Sequence, residues 1–433
     1  MREMKDSSEN WLGSIPAKWK MARIKDVIKI LTDYTANGSF ADLAKNVEYL
    51  DYEDFARLVR LTDLRSKLNN PGVYVSQKSY EYLGKSKLYG KEILVANVGA
   101  YAGLFCEMPN VDIPATLGPN MFLIRTNSKM YSHYLYYLGN THFVKEQLAQ
   151  KAISSAQPKL NKTDIKTAYI IIPPILEQKR IISFLDSQCS EIDAISADIQ
   201  KEIETLEQYK RSVITEAVTK GLNPDAETKK STIFYMAPYN FEWRLSKIGY
   251  ECTKLARPFS PADTPLLCTN KGKVSPRPSD MTGKMVSEDN AMQGIHKGDI
   301  AIHGMDTWHG AIAMSEYDGK ITRVVHVCDS KQDKRFIVYY LQQLAFNDVY
   351  KLISFGIRGN TSDFRSWDKV KDIYIALPDI DEQQKISDFL DLECRRVEDI
   401  VSEKKKQLDV LDAYKKSLIY EYVTGKKEVP NEQ

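Results

Sequence analysis

PPILEQKRIISFLD begins at Pro173 and PDIDEQQKISDFLD begins at Pro378. No other feature of the chain constrains its fold as strongly as this recurrence. Without a gap, Pro173–Thr219 overlays Pro378–Thr424, and 19 of the 47 positions are identical. Glu177/Glu382, Gln178/Gln383, Asp186/Asp391, Cys189/Cys394, Tyr209/Tyr414 and Lys210/Lys415 are among them. A period of about 205 residues is far longer than the 20–50 residues of a solenoid unit. It implies a duplicated domain followed each time by a long helix.

The repeated stretch reads as helix throughout. Apolar positions step by fours and threes: Leu185, Cys189, Ile192, Ile199, Ile203, Leu206 and Val213 in the first copy, and Leu390, Cys394, Val397, Val401, Leu408, Leu411 and Leu418 in the second. This is a heptad seam over more than four heptads, with few polar interruptions and no Gly or Pro. Asp381 followed by Glu382 suits a helix start, and Gly221 and Gly425 suit the stops. A seam this long seeks another helix, and pseudo-two-fold symmetry would set the two copies antiparallel. That register puts Ile199 near Leu408 and Ile203 near Lys404, with Cys189 and Cys394 too far apart for a disulfide and serving as small core residues.

The duplication continues upstream. KEILVANVGAYAGLF at Lys91 overlays GDIAIHGMDTWHGAI at Gly298, predicting a strand that enters a tight loop at Gly103 or Gly310 and returns. YLYYL at Tyr134 matches FIVYYL at Phe336 as a short helix, and WKMARI at Trp19 matches WRLSKI at Trp243. The fold class expected is α+β, in the order domain, helix, domain, helix. The polar, turn-rich GLNPDAETKKS at Gly221 reads as the linker between halves.

Composition excludes several classes. Hydrophobic residues are 43% and charged residues 27% of the chain, as in ordinary globular proteins. With no apolar leader and no run of 18 apolar residues, the chain is expected to be cytoplasmic, neither secreted nor membrane-spanning. Six cysteines without a CxxC pair fit a reducing compartment and argue against structural zinc. His296, His303 and His309 fall close together, but no HExxH pattern or carboxylate cluster accompanies them. GKSKLYGK at Gly84 has the wrong spacing for a phosphate loop. No nucleophile–base pair stands out, so the chain is read as non-catalytic, with no metal and no cofactor of its own.

The halves diverge where basic and aromatic residues interleave. Arg57–Lys91 holds eight basic and two acidic residues among tyrosines, and Lys254–Lys284 holds six basic and two acidic residues among prolines. Basic side chains neutralise phosphates, and polar or aromatic loop residues reach base edges. Lys85, Lys87, Lys271, Lys273 and Arg277 are therefore candidate phosphate contacts, and Tyr101 and Trp308 candidate loop-tip residues. Arg65, Lys67, Asn97, Gln157, His303, Thr307, His309 and Arg358 complete the candidate DNA-binding set.

Two halves that each end in PP…EQ or P…EQ and a long helix resemble the specificity subunit of type I restriction-modification systems. WLGSIPAKW at Trp11, SSAQPKLNKTDIKTAYIIIPPILEQ at Ser154 and KGLNPD at Lys220 carry the resemblance. In the second half, FYMAPYNFEW lacks the W-L-G-x-I-P opening and RGNTSDFRSW lacks the usual Gln. The resemblance implies target recognition domains at 1–172 and 233–377, spacer helices at 173–221 and 378–425, a linker at 222–232 and a tail at 426–433. It implies double-stranded DNA as ligand, one half of a split site per domain. The paired helices would form an antiparallel coiled coil that acts as a ruler and docks two methyltransferase (modification) subunits, with restriction/translocase subunits joining in full complexes. S-adenosylmethionine, ATP and Mg2+ would belong to those partners. A methylation-only system, and a coiled-coil scaffold that binds no DNA, are the alternatives.

Overall fold

The run Ile93–Leu94–Val95–Ala96 is apolar at every position and buried at every position, because the strand it forms is covered on both faces. In a computed structural model that describes residues 2–7, 12–152, 157–278, 291–354 and 363–430, this strand lies inside an antiparallel sheet. The order is Ile28–Asp33, Met121–Thr126, Ile93–Ala96, Phe105–Glu107. The second half builds the same sheet in the same order from Cys252–Lys254, Val325–Ser330, Ile300–His303 and Ile312–Met314. The expected strand–loop–strand is present twice. Gly103 (φ 87°) and Gly310 (φ 77°) each take the left-handed turn that starts the return strand. A short helix follows in each half, Ser132–Gly139 and Lys334–Phe346. Each domain closes on an antiparallel pair, Lys20–Arg23 with Tyr169–Ile172 and Arg244–Lys247 with Tyr374–Leu377.

Outside this shared frame the halves differ. The first half adds a mixed four-stranded sheet in the order Val73–Val75, Ala56–Val59, Ala115–Leu117, Lys87–Leu88, with one parallel pair. The second half has two separate antiparallel pairs, Leu266–Thr269 with Lys273–Pro276 and Met292–Ile295 with Gly319–Thr322.

The long helices run Ile175–Lys220 and Ile380–Val423. At 1.5 Å per residue each is about 65–70 Å long. Gly221 (φ 88°) and Gly425 (φ 74°) end them in the left-handed conformation. Every seam position is buried or half-buried, and each fully buried Leu or Ile along it contributes about 1.5–3 kcal/mol.

The chain divides into two compact units, one of residues 1–198 and 407–433, the other of residues 199–406. Each therefore holds one domain, the start of the helix that follows it and the end of the other helix. In the first unit Phe184 meets Tyr422 with ring centroids 4.5 Å apart, and Lys415 pairs with Asp193 at 2.6 Å. In the second unit Lys210 pairs with Glu398 at 2.6 Å, and Lys404 pairs with Glu202, beside the expected Ile203–Lys404 neighbours. In both units one residue number falls as the other rises, so the helical segments run in opposite directions. The repeat maps Lys415–Asp193 onto Glu398–Lys210, so the same bridge is made twice. All six cysteines are free, with Cys189 and Cys394 buried.

The identical residues of the repeat attach each domain to its helix. The buried indole of Trp19 donates to Glu177 Oε2 at 2.8 Å, and that of Trp243 donates to Glu382 Oε2 at 3.2 Å. Gln178 Oε1 accepts the Tyr131 N–H at 3.0 Å while its Nε2 donates to the Pro173 carbonyl at 3.0 Å. Gln383 does the same with the Asp333 N–H at 3.0 Å and the Pro378 carbonyl at 2.9 Å. Asp186 accepts the Tyr137 hydroxyl and Asp391 the Tyr339 hydroxyl, both at 2.7 Å. In the first unit the chain ends are tied together. Lys426 Nζ donates to the carbonyls of Leu12 (2.6 Å) and Ser14 (2.7 Å), and Arg2 donates to the Gly425 carbonyl. In the second unit the continuous linker takes that place, with Asn240 Nδ2 donating to the Lys220 carbonyl at 2.9 Å.

Candidate nucleic-acid interface

The loop after Ile93–Ala96 gathers several candidate residues of the first domain. The Asn97 carbonyl accepts the Leu160 N–H (2.8 Å), and the Gly99 N–H donates to the Pro158 carbonyl (2.8 Å). This stitching brings Asn97, Tyr101 and Gln157 to one place. The Arg65 guanidinium lies 4.3 Å from the centre of the Tyr101 ring, within cation–π range. A depression of about 790 Å³ opens beside Asn97, lined also by Thr35, Phe40, Lys159 and Lys162.

Arg65 and Lys67 are exposed on a turn whose backbone is unusual. Lys67 (φ 52°) and Leu68 (φ 64°) are consecutive non-glycine residues in the left-handed region, at a cost of about 1–2 kcal/mol each. A buried polar network offsets that cost. Arg57 donates to the carbonyls of Leu68 and Asn70, both at 3.0 Å. Asn70 Nδ2 donates to Asp63 Oδ1 at 2.6 Å, and Arg60 Nε donates to Asp63 Oδ2 at 3.1 Å. Asp63 is fully buried. Burial pushes its pKa up, but the hydrogen bonds from Arg60 and Asn70 outweigh it and hold the carboxyl below its ordinary range.

Lys85 and Lys87 are less available than their sequence suggests. Lys85 Nζ donates to the Ala36 carbonyl at 3.0 Å, and Lys87 Nζ lies 4.4 Å from the centre of the Tyr80 ring.

In the second domain His303, Thr307, Trp308 and His309 share the equivalent loop, where Thr307–His309 form one turn of 3-10 helix. Only His309 of the four is exposed. Thr307 is fully buried. Trp308 is half-buried and donates its indole N–H to Ser354 Oγ at 3.0 Å, so it is not the open loop tip that the sequence predicts. His303 Nδ1 accepts the Asp306 N–H at 3.1 Å. Burial lowers its pKa, with the Asp306 charge opposing, which keeps the ring neutral near pH 7. Among the described residues no group of three or more His, Cys, Asp or Glu could hold a metal ion.

Lys271 and Lys273 line a different groove, of about 430 Å³, together with Lys210, Arg335, Arg395 and Glu398. Lys273 Nζ pairs with Glu398 at 2.8 Å, so this lysine faces its own long helix. Arg277 is half-buried, and Arg358 lies outside the described residues. Sequence reasoning missed the Arg57–Asp63–Asn70 network, for which spacing gives no signal. It also left the Trp–Glu and Gln anchors without a role, although their identity in both copies marked them.

The chain is similar to known proteins over nearly its whole length. Residues 16–205 match the family model described as the type I restriction modification DNA specificity domain. A protein of Methanocaldococcus jannaschii named as the MjaX type I restriction enzyme specificity subunit is 24% identical, with 96% of each chain covered. The MjaVIII specificity subunit of the same organism is 22% identical over 96% of this chain and 95% of its own. A solved structure from work on complex assembly and conformational transition of the type I R-M system superposes with a TM-score of 0.66 at 15% identity, covering 95% of this chain and 99% of that one. Among the described residues no helix is long and apolar enough to cross a membrane. Residues 16–205 thus match a type I restriction-modification DNA specificity domain, and nearly the whole chain is similar to type I restriction enzyme specificity subunits.

Proposed function

We propose that the chain is the DNA-recognition subunit of a type I restriction-modification complex. Each domain reads one half of a split double-stranded target. The two long helices pair as one antiparallel coiled coil, set the distance between half-sites and dock two modification subunits. Methyl transfer from S-adenosylmethionine, and any ATP- and Mg2+-dependent translocation or cleavage, belong to partner subunits.

One observation carries this reading. The two halves share the sheet order and the helix anchors, while the loops that hold the candidate DNA residues differ. A duplicated frame with divergent loops suits two copies of one partner held over two unlike half-sites. The helices add support for the docking. Ile195 (43% exposed) and Ile400 (38%) are identical under the repeat, as are Tyr209 (49%) and Tyr414 (53%). Large apolar side chains repeated at exposed positions suit an identical partner surface used twice.

The test is to replace residues 1–170 with the recognition domain of another specificity subunit, assemble the complex with its modification subunits, and sequence modified DNA. One half-site should change and the other should remain. A change in both would refute independent reading. Absence of salt-dependent, sequence-specific DNA binding by the assembled wild-type complex would favour a scaffold that binds only protein.

A further inference from the structure

The first domain contains a polar network that the proposed function does not by itself require. Two consecutive left-handed residues, Lys67 and Leu68, are held by bonds from inside the domain, and Arg65 stands at the start of the turn against the Tyr101 ring. Strained backbone persists only where surrounding structure fixes it, and it concentrates at functional positions. Here the fixing groups can be named. Arg57 reaches the turn from its strand and bonds Leu68 and Asn70. Asn70 passes the constraint to buried Asp63. Ser66 Oγ adds a bond of 2.6 Å to Asn70 Oδ1. Gly72 leaves room for this arrangement, since a Cβ there would lie 2.9 Å from Arg57 Nε.

We propose that Arg65 reads a guanine in the first half-site, and that Arg57, Asp63 and Asn70 are positioning residues that fix its turn. This rests on the proposed function of the domain. A guanidinium stacked on an aromatic ring is pre-oriented, so less freedom is lost when it bonds. The O6/N7 edge of guanine is the base edge that a planar guanidinium meets with two hydrogen bonds. Arg57 and Asp63 are themselves buried, so they act through the turn. In the second domain the loop equivalent to that of Tyr101 is held differently, with Trp308 bonded to Ser354.

The experiment uses the full chain assembled with its modification subunits. Affinity is measured on targets that vary one base pair at a time in each half-site, with thermal unfolding measured in parallel. Arg65→Ala should lower discrimination at one G·C pair of the first half-site about tenfold. Asn70→Ala should relax the same pair by a similar factor, with the second half-site unchanged. Ser66→Ala removes the hydroxyl and its bonds to Asn70 Oδ1 and the Asp63 carbonyl, and should relax that G·C pair about threefold. It carries the test if Asn70→Ala fails to assemble. A merely structural role for the network would lower the melting temperature without changing base preference, and that result would overturn the proposal. So would relaxation at an A·T pair, or Asn70→Ala and Ser66→Ala variants that keep the preference Arg65→Ala loses. Loss of sequence preference in both half-sites of the wild-type complex would instead count against the proposed function itself.

Discussion

His133 in the first half and Arg335 in the second occupy equivalent positions, one residue before the matched YLYYL and FIVYYL runs. His133 Nδ1 lies 2.6 Å from Glu107 and Nε2 lies 2.7 Å from Asp186. Arg335 bonds Asp388 and Asp391, each at 2.8 Å, and also pairs with Asp333. The aspartate on the long helix is retained and its cation is exchanged. The anchors on the long helices, Glu177/Glu382, Gln178/Gln383 and Asp186/Asp391, are kept in both halves, while groups farther from that junction drift. The functional reading follows from this contrast, since a shared frame fixes geometry and unlike loops can carry unlike specificities.

The largest difference expected between the halves within the anchors concerns the Trp–Glu bonds. Glu177→Ala and Glu382→Ala each leave a buried indole N–H without its acceptor, at a cost of about 1–3 kcal/mol. The first substitution should cost more. Glu177 also pairs with Arg2 at 2.7 Å, whereas burial raises the Glu382 pKa and the Trp243 bond only partly opposes it. Denaturant unfolding of both variants checks the order, and equal losses would show that the Arg2 pair adds nothing.

A smaller difference should appear with pH. Burial opposes the charge on His133, but the bonds to Glu107 and Asp186 outweigh it and raise the pKa above the ordinary histidine value. A raised pKa in the folded state means that the stabilisation is complete below about pH 6.5 and is lost as pH rises through the folded value. Glu107 and Asp186, with the rings of Tyr136 and Tyr137, face the imidazole. Arg335 remains charged throughout that range. Hydrogen exchange of 132–139 should therefore speed up relative to 334–346 between pH 6 and 9, after correction for intrinsic rates. His133→Arg should abolish the difference. Equal pH dependence in both helices would show that the imidazole pair contributes no stability.

The smallest effect should come from the repeated bridges. Lys415→Met and Lys210→Met each remove a partly exposed ion pair, worth about 0.5 kcal/mol. Glu398 keeps Lys273 when Lys210 is lost, while no second cation pairs with Asp193 among the described residues. Lys415→Met should thus be the costlier of the two by a few tenths of a kcal/mol, which a double-mutant cycle can resolve.

Much of the frame was legible in the sequence because it is written in local periodicity. The 4–3 seam, Gly221 and Gly425 at the helix ends, and the strand–loop–strand around Gly103 and Gly310 all depend on neighbours close in the chain. The side-chain partners were not legible, because they depend on which distant elements meet. Lys273 looked like a phosphate contact until the Leu266–Thr269/Lys273–Pro276 hairpin brought it to Glu398. Trp308 looked like an exposed tip until Ser354 took its indole N–H. The turn at Lys67 and Leu68 carries no glycine, so sequence gave no warning of its left-handed backbone.

The central claim is that two different reading domains are held at a fixed distance by paired helices. Inserting one heptad after Ile203 and another after Leu408 preserves the seam and lengthens both helices by about 10 Å. With duplex DNA rising about 3.4 Å per base pair, sequencing the DNA methylated by the assembled variant should show both half-sites unchanged and the spacer longer by about three base pairs. An active, correctly assembled variant that methylates the original spacing would contradict the account.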